Sequence, residues 1–198
     1  MPRYGPDKIR NVAILGHSHD GKTTLAEALL HATATIARMG STDAGTATMD
    51  FEPEEARRRI SIGLGVAGVE HDGHKVNLVD TPGFFDFAGQ VVSSLHAVEG
   101  ALVVVSANAS LAVGTEIAWD HCNKDRKPRL VVVNKMDKEN ADFFGTVESL
   151  RQVLRPKPVP IQVPIGSEAA FKGVVDLLHI EGLRQRRRWQ GPRGPHPG

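Results

Sequence analysis

Cysteine is nearly absent: the 198 residues hold one, Cys122. No disulfide can form within such a chain, and the usage fits a reducing compartment. Long apolar runs are lacking too, since none approaches the roughly 20 residues of a bilayer-crossing helix. The first eleven residues are polar and hold no signal-peptide core. Nor is there a large net charge, which stands at +1. That balance hides an asymmetry, because five of the 24 basic residues (Arg184, Arg186, Arg187, Arg188 and Arg193) fall in the last fifteen positions, which hold no acid. The remaining body carries 19 basic against 23 acidic residues, a formal charge of −4, which excludes polyanion binding driven by bulk charge. With 40% hydrophobic residues, the composition is that of a soluble, intracellular globular domain with a sizeable core.

Apolar runs alternate with helical patterns, which predicts an α/β fold with a doubly wound, mostly parallel sheet. Residues 11–15 (NVAIL) form a strand candidate ending at Gly16, and Leu25, Leu29, Ala32 and Ile36 then mark one helical face. Residues 40–49 are small and polar and read as a loop. Strands are expected over 60–69 and 75–79, joined at Asp72-Gly73, a strong hairpin turn. The unbroken runs 101–106 (ALVVVS) and 130–133 (LVVV) suit strands buried on both faces. Helices are expected over 87–98, 115–123 and 142–154. Composition changes at Arg155, after which Pro156, Pro158, Pro160 and Pro164 frame two short apolar pieces, 161–165 and 171–178. From Leu183 the text loses all period and predicts disorder.

Three segments carry chemistry. Gly16-His17-Ser18-His19-Asp20-Gly21-Lys22-Thr23 matches GxxxxGK[ST] between a strand and a helix. In that setting loop N–H groups and the helix start surround a phosphate, Lys22 adds a full charge, and Thr23 offers a hydroxyl to Mg²⁺. Asp80-Thr81-Pro82-Gly83 ends a strand, where Asp80 is placed to hold Mg²⁺ through water and the Gly83 N–H to meet a γ-phosphate. Asn134-Lys135-Met136-Asp137 also ends a strand. A carboxylate at Asp137 can accept from the ring N–H and the amine of guanine, a pattern adenine does not offer, while Lys135 covers the base plane. The order of the three segments implies a P-loop NTPase that binds GTP and GDP with Mg²⁺.

The segments GHSHDGKTTLAEALL, ATMDFEPEEARRRISI, NLVDTPGFFDF, VVVNKMDKENADF and PVPIQVPIGSEAAFKGVVDLL together resemble the N-terminal GTPase domain of elongation factor G. The second-type, elongation-factor-G-like branch is the closest in pattern, and the likeness runs from Lys8 to about Leu178. It implies a translational GTPase G domain that engages the ribosome, its RNA and its proteins, in translocation or ribosome recycling. It also implies a cytoplasmic site of action with no DNA or membrane partner. Gly16, His17, Gly21, Lys22, Thr23 and Thr24 match the family's phosphate loop, while His19 stands where the family has an aspartate and Asp20 lies next to it. In the first switch Ser61 replaces a Mg²⁺-binding threonine, so the implied metal ligands are Thr23, Ser61 and Asp80; Arg59 replaces a glycine. In the second switch Phe84 stands where the family's histidine positions the attacking water, and a phenyl ring can neither hydrogen-bond water nor move a proton. GTP hydrolysis by the usual route is therefore expected to be impaired, and a GTP-dependent ribosome-binding module without turnover is the alternative; so are a ribosome-protection protein and a non-functional remnant.

The resemblance divides the chain into a G-domain core (1–155), the start of an insertion that dissolves after His179 (156–183) and a basic tail (184–198). The family's fifth nucleotide motif and last sheet strand have no counterpart. The tail reads as a change of reading frame in GC-rich coding sequence, or else as a basic segment for ribosomal RNA. The open sheet edge is expected to make the chain marginally stable and prone to associate. Glu52, Glu54 and Glu55 with Arg57, Arg58 and Arg59 are expected to form a solvated, mobile segment. His71, His74, His96 and His121 lack metal-ligand spacing, and Cys122 is expected to be structural.

Overall fold

The computed structural model describes residues 4–179 and 181–184. Its main sheet has five strands in the order β2-β3-β1-β4-β5. They are β1 (Ile9–Gly16), β2 (Gly65–His71), β3 (His74–Asp80), β4 (Gly100–Ser106) and β5 (Arg129–Asn134). All neighbours run parallel except β2, which turns back on β3 through Asp72-Gly73. The helices are α1 (Lys22–Ala32), α2 (Pro53–Arg58), α3 (Ala88–Ala97), α4 (Val113–Lys124) and α5 (Phe143–Val153).

Alternation along the strands builds a core on each face of the sheet. Ala13, Leu15, Val103 and Val105 pack with Leu95, Trp119, Cys122 and Leu150. Ile14, Leu78 and Val104 face the other way, onto Ala26 and Leu30 of α1. Cys122 is thus a buried apolar filler, its thiol pushed up by burial. The doubly wound α/β fold expected from the run pattern is the one observed.

Register then decides where the site lies. Ile14 pairs with Asp80, Gly16 with Val104, and Ser106 with Asn134, so the three motif segments leave the same edge of the sheet. The chain departs from β1 to opposite sides at β3 and β4, the switch point where open α/β sheets place ligands.

Three expectations about the main sheet and its helices need correction. The strand expected over 60–69 begins only at Gly65, because Glu55 Oε1 accepts the N–H groups of Ile62 (2.8 Å) and Gly63 (2.9 Å). The segment expected to be solvated and mobile contains helix α2, with Glu55 only 2% exposed. Ile36 lies beyond α1, since the Thr33 hydroxyl takes the carbonyls of Leu29 and Leu30 and Ala34 adopts φ 55°; its side chain still packs on the α1 core.

The proline-rich piece forms a second, antiparallel sheet of β6 (Gln162–Ile165), β7 (Gly173–Asp176) and β8 (Glu181–Arg184). Structure therefore continues past His179, where it was expected to dissolve: the apolar 162–165 and 173–176 pieces pair with each other, and β8 extends the ladder from Asp176↔Glu181 to Gly173↔Arg184. Residues 185–198 of the expected disordered tail lie outside the described residues.

Candidate functional site

Between β1 and α1 the loop turns back on its own backbone. Gly16 has φ 138° and lies against the Val104 backbone, where a Cβ would come within 3.3 Å of the carbonyl carbon. His19 adopts φ 65° and Gly21 φ 92°, which turns successive N–H groups toward one concavity. Lys22 Nζ donates to the His17 carbonyl at 2.8 Å, and the His17 N–H donates to Asp20 Oδ2 at 3.2 Å. Burial pushes the Lys22 ammonium below its usual range and the Asp20 carboxyl above its own. Thr24 is exposed on the first turn of α1. Gly83 packs against this loop so closely that a Cβ there would meet the Ser18 backbone at 2.7 Å and collide with Lys22 Nζ.

Beside the loop lies a chain of oxygen ligands. The Thr23 hydroxyl donates to Asp80 Oδ2 at 2.6 Å and lies 3.2 Å from Ser61 Oγ, which donates to Asp50 Oδ1 at 2.7 Å. Asp80 Oδ1 and Asp50 Oδ2 are buried with no hydrogen-bond partner among the described residues. Burial raises the Asp80 carboxyl to about 7, against the pull of Thr23 and Lys22. The Asp50 carboxyl is also raised, first by burial and further by the fields of Glu55 and Glu27. Hard oxygen donors with orphaned carboxylate oxygens beside them fit a Mg²⁺ ion in kind. The side chains of Thr23, Ser61 and Asp80 thus lie together, and Asp50 is hydrogen-bonded to Ser61.

Behind Asp80, Thr81 is fully buried, its hydroxyl donating to the Ile14 carbonyl at 2.8 Å. Pro82 is buried as well, and it leads to Phe84. The Phe84 ring meets His19 edge-on, with centroids 5.8 Å apart. With Val91, Ile117 and His121 it lines an apolar cavity of about 200 Å³.

The third segment is strapped to the first. Asn134 Nδ2 donates to the Asp20 carbonyl at 2.9 Å, and Lys135 takes φ 60°. Met136 is buried against Ala107 and Ala141, next to Phe171. Its carbonyl accepts the Glu168 N–H at 2.8 Å, while Glu168 Oε1 accepts the Asn140 N–H at 2.7 Å. Asp137 stays exposed. The connection between β6 and β7 therefore buttresses the Asn134–Asp137 segment, a contact the sequence reading did not anticipate.

Asp50, Glu55 and Glu27 are the polar residues that sequence reasoning missed. The signal for Glu27 was present: it follows buried Ala26 on α1 and lies one helical turn after Thr23, an acid where the helix faces the protein.

A parallel sheet whose phosphate loop, carboxylate strand end and Asn-Lys-Met-Asp loop share one edge defines a P-loop guanine-nucleotide-binding domain. Residues 7–185 match the family model described as the elongation factor Tu GTP binding domain, and the chain belongs to that family. It is 41% identical to elongation factor G of Thermotoga neapolitana over 89% of its length, and 39% identical to that of Petrotoga mobilis over 91%. It spans about a quarter of these relatives' length (26% of each). The crystal structure of ttk003000868 from Thermus thermophilus superposes with a TM-score of 0.85 at 41% identity, covering 90% of this chain and 27% of that one. The domain is elongation-factor-G-like. No helix among the described residues is long and apolar enough to cross a membrane.

Proposed function

We propose that this domain binds Mg²⁺ with GTP or GDP, selects guanine through Asp137, and serves an elongation-factor-G-like translational GTPase acting on the ribosome. The single observation that carries the nucleotide reading is the Asn134–Asp20 hydrogen bond, which locks a base-reading loop to a phosphate loop. Lys22, held on the His17 carbonyl, exchanges that acceptor for phosphate oxygens. Thr23 and Ser61, whose hydroxyls lie together beside Asp80 and Asp50, would hold the cation, and the two carboxylates would balance its charge. Bound there, Mg²⁺ neutralises charge on the β- and γ-phosphates. The Gly83 N–H faces the γ-phosphate. Asp137 accepts from the guanine edge and Lys135 covers its plane.

Titration with fluorescent GDP and ATP analogues tests this reading. The guanine nucleotide is expected to bind more tightly, and Asp137→Asn to remove the preference. Equal affinities in the parent chain would overturn it.

Phe84 supports slow hydrolysis, and so favours the second reading of a GTP-dependent ribosome-binding module without turnover. Its ring is engaged with His19 and an apolar cavity, and carries no group to orient water. Water-positioning residues contribute about 10²–10⁴-fold. Phe84→His is expected to raise single-turnover hydrolysis, and an unchanged rate would assign water positioning to another group.

A further inference from the structure

The least exposed carboxylate of the described structure is Glu27, at 1%, and the chemistry above does not use it. It forms no salt bridge among the described residues. Instead, four donors converge on it from one loop. Oε1 accepts the N–H groups of Thr48 (2.5 Å) and Met49 (3.1 Å). Oε2 accepts the Gly40 N–H (2.9 Å) and the Thr48 hydroxyl (3.2 Å). One side chain thus grips both ends of the 40–49 loop. Between them the loop closes on itself, through Thr46 N–H to the Ser41 carbonyl (2.9 Å) and Ser41 N–H to Thr46 Oγ1 (3.1 Å).

Two consequences follow from where this grip sits. Glu27 lies four residues after Thr23, so the loop anchor and the cation-binding hydroxyl share one helical face a turn apart. Met49, held by Oε1, leads directly into Asp50, whose Oδ1 accepts from Ser61. Any shift of the 40–49 loop therefore moves Asp50, and with it Ser61, relative to Thr23.

We propose that Glu27 is a positioning residue that fixes the 40–49 loop to α1, holds Asp50 and Ser61 over Thr23, and so sets how strongly a nucleoside triphosphate is preferred to a diphosphate. This rests on the guanine-nucleotide reading above. A carboxylate suits the task because it only accepts, and all four partners donate. An amide would turn its NH₂ toward two of those donors. The preference would follow because Ser61 would hold a cation that offsets charge on a third phosphate, while Lys22 and Thr23 would serve a diphosphate as well.

The test compares the parent chain, Glu27→Gln and Thr48→Val by titration with fluorescent GDP and a non-hydrolysable GTP analogue, in saturating Mg²⁺ and in excess EDTA. Losing two bonds to a charged acceptor, Glu27→Gln should weaken the GTP analogue by about 10-fold or more and GDP by less than about 3-fold. Thr48→Val, at an exposed residue, should shift the same ratio by about 2- to 4-fold. In EDTA both differences should vanish, which a general loss of structure would not produce. An unchanged ratio in folded Glu27→Gln, or equal losses for both nucleotides, overturns the proposal. Should Glu27→Gln fail to fold, Thr48→Val decides by the same criterion. A parent chain that binds neither nucleotide overturns the guanine-nucleotide reading and this proposal together. A parent that binds both beside an unmoved variant ratio overturns this proposal alone.

Discussion

The two flanks of β1 are held by different forces. On the β3 side, directional bonds dominate: Thr23 to Asp80, Ser61 to Asp50, and the Glu27 and Glu55 carboxylates to seven donors of the 40–63 segment. On the β5 side, apolar surface dominates. Among the described residues β5 pairs with β4 alone, and Leu130 is 55% exposed. A groove of about 800 Å³ runs between β5, α5 and the proline-rich piece, lined by Leu130, Val132, Phe143, Val147, Pro158 and Ile161 among others. Its few polar ties are at one end, where the Arg129 guanidinium stacks on Trp119 at 3.9 Å and Trp119 Nε1 donates to the Arg155 carbonyl at 2.8 Å. Hydrogen bonds fix distances, whereas apolar burial gives cohesion without fixing direction. The β3 flank therefore sets the geometry around Thr23, while the β5 flank gives the domain cohesion and ties to the site through Asn134 and the Asp20 carbonyl.

Truncating the apolar flank should have the largest effect on folding. Leu150 of α5 is almost fully buried, between Trp119 and the β4–β5 face. Leu150→Ala is expected to cost about 2–5 kcal/mol, read as a lower urea midpoint, with the preference for GDP over ATP analogues unchanged in the folded fraction. A lost preference would mean that the two flanks are not separable.

The reverse asymmetry is expected at Lys22. Its ammonium is buried and held below its ordinary pKa by that burial, so it adds little to the fold and much to the ligand. Lys22→Ala should weaken GDP by about 30- to 150-fold, the worth of roughly 2–3 kcal/mol for a charge-assisted bond. Thermal stability without nucleotide should be retained or rise slightly. A large loss of that stability would show that the phosphate loop helps to hold the domain together.

A smaller effect is expected at the open edge. Unpaired strand edges template association, and an edge lysine blunts them. Leu130→Lys should raise the concentration at which light scattering detects association, and change stability by less than about 0.5 kcal/mol, because the site is already exposed. Unchanged scattering would locate association elsewhere, for example at the other edge strand, β2.

What could be read from the sequence follows the same division. The strands of the β1, β4 and β5 runs and the three nucleotide segments were legible because unbroken apolar runs and fixed motif spacings are local signals. The 50–64 segment was not. Its acids and bases look like a solvated charge run, yet Glu55 is buried, since its partners are backbone N–H groups that no pattern of side chains reveals. The same blindness hid the bond between Ser61 and Asp50 and the grip of Glu27 on the 40–49 loop. On the other flank, the proline spacing predicted a change after Arg155 but could not show that Glu168 returns to Met136 and Asn140, a pairing set by tertiary docking. β8 escaped because an antiparallel ladder can be completed by any residues whose backbones reach it.

A small effect of the opposite sign, a stabilisation, is expected at Arg59, where α2 meets the Ser61 segment. Arg59 caps α2 with φ 58° and ψ 38°, and its N–H donates to the Glu55 carbonyl. The left-handed region costs a residue with a Cβ about 1–2 kcal/mol. Its side chain is exposed and makes no hydrogen bond among the described residues, so glycine would relieve that strain without losing a contact. Against this stands the greater freedom of glycine in the unfolded chain, about 0.5–1 kcal/mol. Arg59→Gly is therefore expected to stabilise by about 0.5–1 kcal/mol, raising the melting temperature by roughly 1–4 °C for a domain of this size. Because the Glu55 bonds to Ile62 and Gly63 are made by another residue, Ser61 should stay in place and nucleotide affinity should not change. A lower melting temperature would mean that the arginine, not the turn, holds the end of α2. A higher one with weakened GTP-analogue binding would mean that strain at this turn helps to press Ser61 toward Thr23.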